Sequence, residues 1–178
     1  MPLYSVIIRN ASVFDGTIAP AKKIDVGLEG DRISSVGDLS RESAVEDIDA
    51  GGLYVAPGFI DITNHSDTHW TLFSVPSQES LLRQGVTTIL GGSCGSSLAP
   101  IASALDIENL QKWADSSAIN INWQSPREFV DELKNHRFAL NFGTLVGHGT
   151  LRHASGMDVS KAAEEEEIEK MIYLLEAS

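Results

Sequence analysis

Cysteine is nearly absent: Cys94 is the single thiol among 178 residues, so no internal disulfide can form and the chain must hold itself together by burial. Basic residues are also scarce. Thirteen Lys and Arg stand against 25 Asp and Glu, giving a net charge of -12 and a pI near 4.7. Polyanion binding draws on counterion release by clustered cations, so this balance argues against nucleic acid as a partner. No run approaches the roughly 18 apolar residues of a membrane span, and Met1-Pro2-Leu3-Tyr4-Ser5 has no basic segment ahead of an apolar one. The expectation is a soluble, cytoplasmic protein that does not engage a membrane. The Asn-x-Ser matches at Asn10 and Asn64 are then chance occurrences.

What is present suffices for a core, since 42% of the residues are hydrophobic. Residues 1–56 carry short β-like runs broken by turn residues: Val6-Ile7-Ile8, Ile24 to Leu28, Ile33 to Val36, and Leu53-Tyr54-Val55. Glu29-Gly30-Asp31 is placed as a hairpin turn between two of them. This reads as a small β unit without catalytic residues. From residue 57 to 178 the order becomes β-α-β: a strand at Phe59-Ile60-Asp61-Ile62, a short helix over Ser80 to Gln84, and a strand over Val86 to Leu90. Ser125-Pro126-Arg127-Glu128 is a capping box with proline at the first helical position and predicts a helix from about Pro126 to His136. A third strand is expected over Ala139 to Val146. A final helix follows the acidic run Glu164 to Glu167, with Ile168, Met171, Ile172 and Leu175 at helical spacing. The fold class is α/β with a mostly parallel sheet in the second part.

In such sheets the chemistry gathers where the loops leave the C-terminal ends of the strands. Those ends carry Thr63-Asn64-His65-Ser66-Asp67, Gly91-Gly92-Ser93-Cys94-Gly95 and Gly147-His148-Gly149-Thr150. His65 and Cys94 stand out, because a neutral imidazole and a thiolate are both good zinc ligands. Each residue alone has a bland reading, as a hydrogen-bonded histidine or a small buried thiol. Asp67 and His69 follow in a polar loop and are candidates to orient a ligand, with a solvated turn as the competing reading. His148 is placed at the end of the third strand, either facing the site or in a structural hydrogen bond. His136 reads as a cation at a helix C-terminus.

Three blocks resemble a known family. Ala56-Pro57-Gly58-Phe59-Ile60-Asp61 with His65-Ser66-Asp67 resembles the first barrel strand of the amidohydrolase superfamily, where a His-x-His pair binds metal. Gln84-Gly85-Val86-Thr87-Thr88, leading to Ser93-Cys94-Gly95 and Leu98-Ala99-Pro100, is similar to the segment in which the N-acyl-D-amino-acid deacylases (D-aminoacylases) place a metal-binding cysteine. Asn141 to Arg152, with Leu145-Val146-Gly147-His148-Gly149-Thr150-Leu151-Arg152, is similar to a block of the same branch. The resemblance implies a small β-sandwich unit followed by the first three β/α units of a TIM-like barrel, left incomplete and ending within a helix. It also implies zinc-dependent hydrolysis of small N-acyl-D-amino acids, with His65 and Cys94 as metal ligands and one tightly bound zinc ion. The remaining ligand histidines and the catalytic aspartate would lie beyond Ser178, in a missing C-terminal part that would act as partner. This chain alone would then be inactive.

Thr63 departs from the pattern, standing where the family has the first His of the pair, and a hydroxyl is a poor zinc ligand. That departure keeps open a non-catalytic scaffold. A cyclic-amide hydrolase of the dihydroorotase or hydantoinase kind shares the strand-one signature, but the cysteine block favours the deacylases. Gly91 to Gly95 also matches Gly-x-Ser-x-Gly, which would make Ser93 the nucleophile of a serine hydrolase. No convincing helix follows to complete that elbow. A phosphate loop lacks the lysine at Walker spacing.

Overall fold

The computed structural model describes residues 3–110, 119–158 and 160–178. The chain divides into two compact units, Met1–Pro57 and Gly58–Ser178. The first is a five-stranded mixed sheet built from β1 (Tyr4–Val13), β2 (Lys22–Glu29), β3 (Arg32–Gly37), β4 (Ala44–Asp49) and β5 (Tyr54–Val55), in the order β3-β2-β1-β4 with β5 also paired to β1. β2 and β3 form the expected hairpin, turning at Gly30 with φ 60°. The long β1 is shared along its length: Tyr4 to Arg9 pair in parallel with β4, and Ser12 and Val13 with β5.

The β1/β2 register slips between Ile8 and Ala11, where Asn10 takes a left-handed φ of 61°. Asparagine tolerates that conformation, and its side chain donates to Asp49 Oδ1 at 3.1 Å while its amide donates to Asp25 Oδ1 at 2.9 Å. Alternation along β1 supplies both faces of the sheet. Ala11 and Val13 pack with Val26 and Ala50 in one cluster, while Tyr4 and Ile7 pack with Leu39 in another. The first unit is thus one five-stranded sheet, rather than the β-sandwich that the family resemblance implies.

In the second unit β6 (Phe59–Asp61), β7 (Val86–Gly91) and β8 (Asn141–Thr144) form a parallel three-stranded sheet in sequence order. Between and after them run α1 (Thr71–Ser74), α2 (Glu79–Leu82), α3 (Ala104–Leu110), α4 (Pro126–Leu133), α5 (His148–Ala154) and α6 (Glu165–Glu176). α4 starts as its capping box requires: the Ser125 hydroxyl accepts the Glu128 N–H at 3.2 Å, and Glu128 Oε2 accepts the Ser125 and Gln124 N–H groups at 2.9 and 2.8 Å. It ends at Leu133 rather than His136, and three tight i to i+3 turns carry the chain through His136. Its Phe129 and Leu133 are buried with Trp70, Leu98 and Trp123 in the main core. Both indole N–H groups are satisfied there, Trp70 by Leu110 O and Trp123 by Leu98 O.

Several apolar side chains of the second unit face solvent. Phe59, Ile60 and Ile62 on and beside β6 are 67%, 61% and 69% exposed. The stripe Ile168, Ile172 and Leu175 on α6 is likewise exposed.

Candidate metal centre

Parallel pairing brings the C-terminal ends of β6, β7 and β8 to one edge of the sheet, and the loops leaving them interlock. After β6 the backbone turns at once. Asp61 Oδ1 accepts the Thr63 N–H at 3.1 Å and Oδ2 accepts Asn64 Nδ2 at 2.8 Å. These bonds hold the Asp61 carboxyl below its ordinary range, with the Asn64 bond the larger cause. Asn64 in turn donates its N–H to Leu90 O of β7 at 3.1 Å and accepts the Ser66 N–H at 2.8 Å. His65 is thereby fixed between two anchored residues and stays half-buried, its ring edge-on to that of His69 at 6.3 Å. Both rings line a recess of about 380 Å³ together with Asn64, Ser66 and Gln78.

Asp67 is wholly buried. Its Oδ2 accepts the Gly92 N–H at 2.7 Å, and its Oδ1 has no hydrogen-bond partner among the described residues. Burial pushes its carboxyl pKa up, and the Gly92 amide opposes the shift. The carboxylate reaches this position because Gly91 has no side chain: a Cβ there would lie 2.6 Å from Oδ2.

Beyond β7 the residues Ser93–Gly95 form one 3-10 turn. Gly92, Cys94 and Gly95 all take left-handed backbone, with φ 76°, 56° and 80°. That conformation is natural for glycine and disfavoured for cysteine, and it leaves the Cys94 thiol exposed while Ser93 is buried. From the other side the β8–α5 loop closes in. Gly147 donates its N–H to Ser97 Oγ at 3.0 Å, Ser97 N donates to Thr150 Oγ1 at 2.8 Å, and Thr150 Oγ1 donates back to Ser97 O at 3.2 Å. A Cβ on Gly92 would collide with Leu145 O, and one on Gly147 with Gly95 O. A separate cavity of about 210 Å³ lies beside this junction, lined by Thr68, Ser96, Asp106, Asn109 and His153 among others.

The structure thus joins Asp67 to the Cys94 turn and sets His65 against His69. His148 opens α5 and is exposed, rather than ending the third strand. His136 pairs with Glu132 at 3.3 Å and stacks edge-on against Phe73. Among the described residues no group of three or more His, Cys, Asp or Glu side chains is placed to hold a metal ion. A cysteine sulfur and an imidazole are, in kind, donors that zinc accepts, and a tetrahedral site would need four such ligands. Sequence reasoning missed the roles of Gly91, Gly92, Gly147 and Ser97. The Gly-Gly pair directly after a strand was the available signal of close backbone approach.

The second unit therefore carries a histidine loop after the first strand of its parallel sheet and a cysteine turn after the second. No family model matches the chain, but comparisons with individual proteins do. It is 36% identical over 173 residues to the D-aminoacylase of Alcaligenes xylosoxydans xylosoxydans, covering 97% of this chain and 35% of that protein. A solved D-aminoacylase structure concerned with one-metal activation and second-metal attenuation of a binuclear centre superposes with a TM-score of 0.84 at 37% identity, covering 97% of this chain and 35% of that one. An N-acyl-D-glutamate deacylase from Bordetella bronchiseptica, solved with zinc and a phosphonate mimic of the tetrahedral intermediate, gives a TM-score of 0.82 at 30% identity, covering 98% and 36%. The chain belongs to the N-acyl-D-amino-acid deacylase branch and spans about a third of the length of these relatives. No described helix is long and apolar enough to cross a membrane.

Proposed function

We propose that the protein is a metal-dependent hydrolase that cleaves the amide bond of N-acyl-D-amino acids, and that residues 57–178 are the first β/α units of a TIM-like barrel which later strands complete. The observation that carries the reading is the Cys94 turn: an exposed thiol, held in left-handed backbone at the end of β7, in a chain related over almost its whole length to zinc-binding deacylases. In this reading Cys94 binds zinc as a thiolate and His65 adds an imidazole, while Asp67, His69 and His148 surround them. When bound, the metal supplies Lewis acidity toward the amide carbonyl and a bound water of lowered pKa. The catalytic aspartate and the other ligands come from outside these residues. Thr63 removes one imidazole from the second position of a binuclear site, so one tightly held zinc is expected.

The protein is further proposed to be cytoplasmic and to act on small molecules rather than nucleic acids. Thr63 also favours a second reading, a non-catalytic scaffold, and hydrolysis separates the two. The intact protein should hydrolyse N-acetyl-D-amino acids in a chelator-sensitive manner and carry about one zinc per chain, lost in Cys94→Ala. Two equivalents of zinc, or full retention in Cys94→Ala, would contradict the assignment. Absence of turnover in zinc-loaded protein would leave the scaffold.

A further inference from the structure

We propose that Asp67 is a positioning residue for Cys94, acting through the Gly91–Gly92 backbone rather than through His65, two residues before it in sequence. The inference rests on the reading of Cys94 as a metal ligand. Burying a carboxylate is unfavourable unless something in the fold requires it. Asp67 is completely buried, and the hydrogen bond it accepts from another loop comes from the Gly92 N–H, at 2.7 Å. The path of that carboxylate is cleared by Gly91, whose φ is not left-handed and which therefore serves for space: a Cβ would stand 2.6 Å from Oδ2 and 2.7 Å from Cγ.

Immediately after the captured amide the backbone enters the left-handed run of Gly92, Cys94 and Gly95. A residue with a Cβ resists that conformation, so the turn at Cys94 needs fixed ends. One end is the Asp67–Gly92 bond. The other is the seam in which Ser97 meets Gly147 and Thr150. Asp67 therefore couples the loop that carries His65 to the turn that presents the thiol, and it sets the position of one candidate ligand relative to the other. An amide oxygen would serve as well as a carboxylate, because Oδ1 meets no described donor.

The test uses the intact protein with cobalt(II) in place of zinc, reading the sulfur-to-cobalt charge-transfer band together with deuterium uptake across residues 91–97. Asp67→Ala should weaken cobalt binding about ten- to a hundredfold, diminish the band and raise uptake in the turn. Asp67→Asn should stay close to wild type on all three readouts. Gly91→Ala should reproduce the loss by displacing the carboxylate. The double variant Asp67→Ala/Gly91→Ala should be no worse than the weaker single, because the added methyl then meets no carboxylate and only the edge of the Phe142 ring, 3.0 Å away, has to give by a few tenths of an ångström. A wild-type protein without the band overturns Cys94 as a ligand, and the positioning role with it. A band and uptake unchanged in Asp67→Ala, or losses that multiply in the double variant, overturn the positioning role alone. Should Asp67→Ala fail to fold, the contrast between Asp67→Asn and Gly91→Ala decides the same question.

Discussion

Gly147→Ala should damage the junction beneath Cys94, although the Gly147 backbone (φ -72°, ψ 131°) is open to any residue. Its glycine is required by proximity. A Cβ there would meet the Gly95 carbonyl oxygen and lie 2.5 Å from the Gly95 carbon and 2.7 Å from the Ser96 nitrogen. Ordinary contact is about 3.5 Å, so the loops must separate by about 1 Å. The obstacle is backbone on both sides, and no rotamer change can absorb it. The buried bond from Gly147 N to Ser97 Oγ, 3.0 Å long, is the first to break. One overpacking penalty and one lost buried hydrogen bond together come to about 2 to 4 kcal/mol. Gly143→Ala is the control: it lies in the strand just before, where a Cβ would make ordinary contact with Leu90 at 3.8 Å. It should be neutral or slightly stabilising. Urea unfolding of the intact protein measures both. Gly147→Ala within about 0.5 kcal/mol of wild type would refute the argument from close approach.

Ser93→Ala should leave metal-dependent turnover largely intact, since Ser93 is buried and Cys94 is the residue the turn exposes; abolished turnover would instead support a serine nucleophile. The Ser125 and Gln124 N–H groups hold the Glu128 carboxyl below its ordinary value of 4.5. A depressed carboxyl contributes stability above its unfolded pKa and loses it as pH falls through the folded value, so α4 should loosen on acidification. Amide exchange in α4 reads this loss, and Glu128→Gln should flatten the pH dependence. Residues 1–178 made alone should aggregate or self-associate through the exposed β6 edge and should not hydrolyse amides. A sharp melt of monomeric material with chelator-sensitive turnover would count against that expectation.

Much of the strand order was legible because period-two runs such as Ile24 to Leu28 and apolar runs such as Val86 to Leu90 face a core on at least one side. The α4 start was legible for a local reason, its capping box. β4 was not: Glu46, Asp47 and Asp49 make it look like a loop, and it is a strand because β1 offers it a parallel edge. α5 was hidden by Gly147-His148-Gly149, glycines placed for contact with Gly95 rather than for a turn. At the candidate site, the strand-end rule locates His65 and Cys94 in their loops. The burial of Asp67 depends on Gly92, 25 residues away, and no local pattern encodes it.

The placement of β1 has a consequence for how the protein is made. Of the five strands, β1 is made before its partners and is the centre of the sheet, and its last partner, β5, ends at Val55. At about 5 to 20 residues per second, the strand waits a few seconds before both edges can be filled. Through that interval its two hydrogen-bonding edges are open to any other extended chain. Tags or deletions that disturb the first dozen residues should therefore lower the yield of folded protein more than their distance from Cys94 suggests.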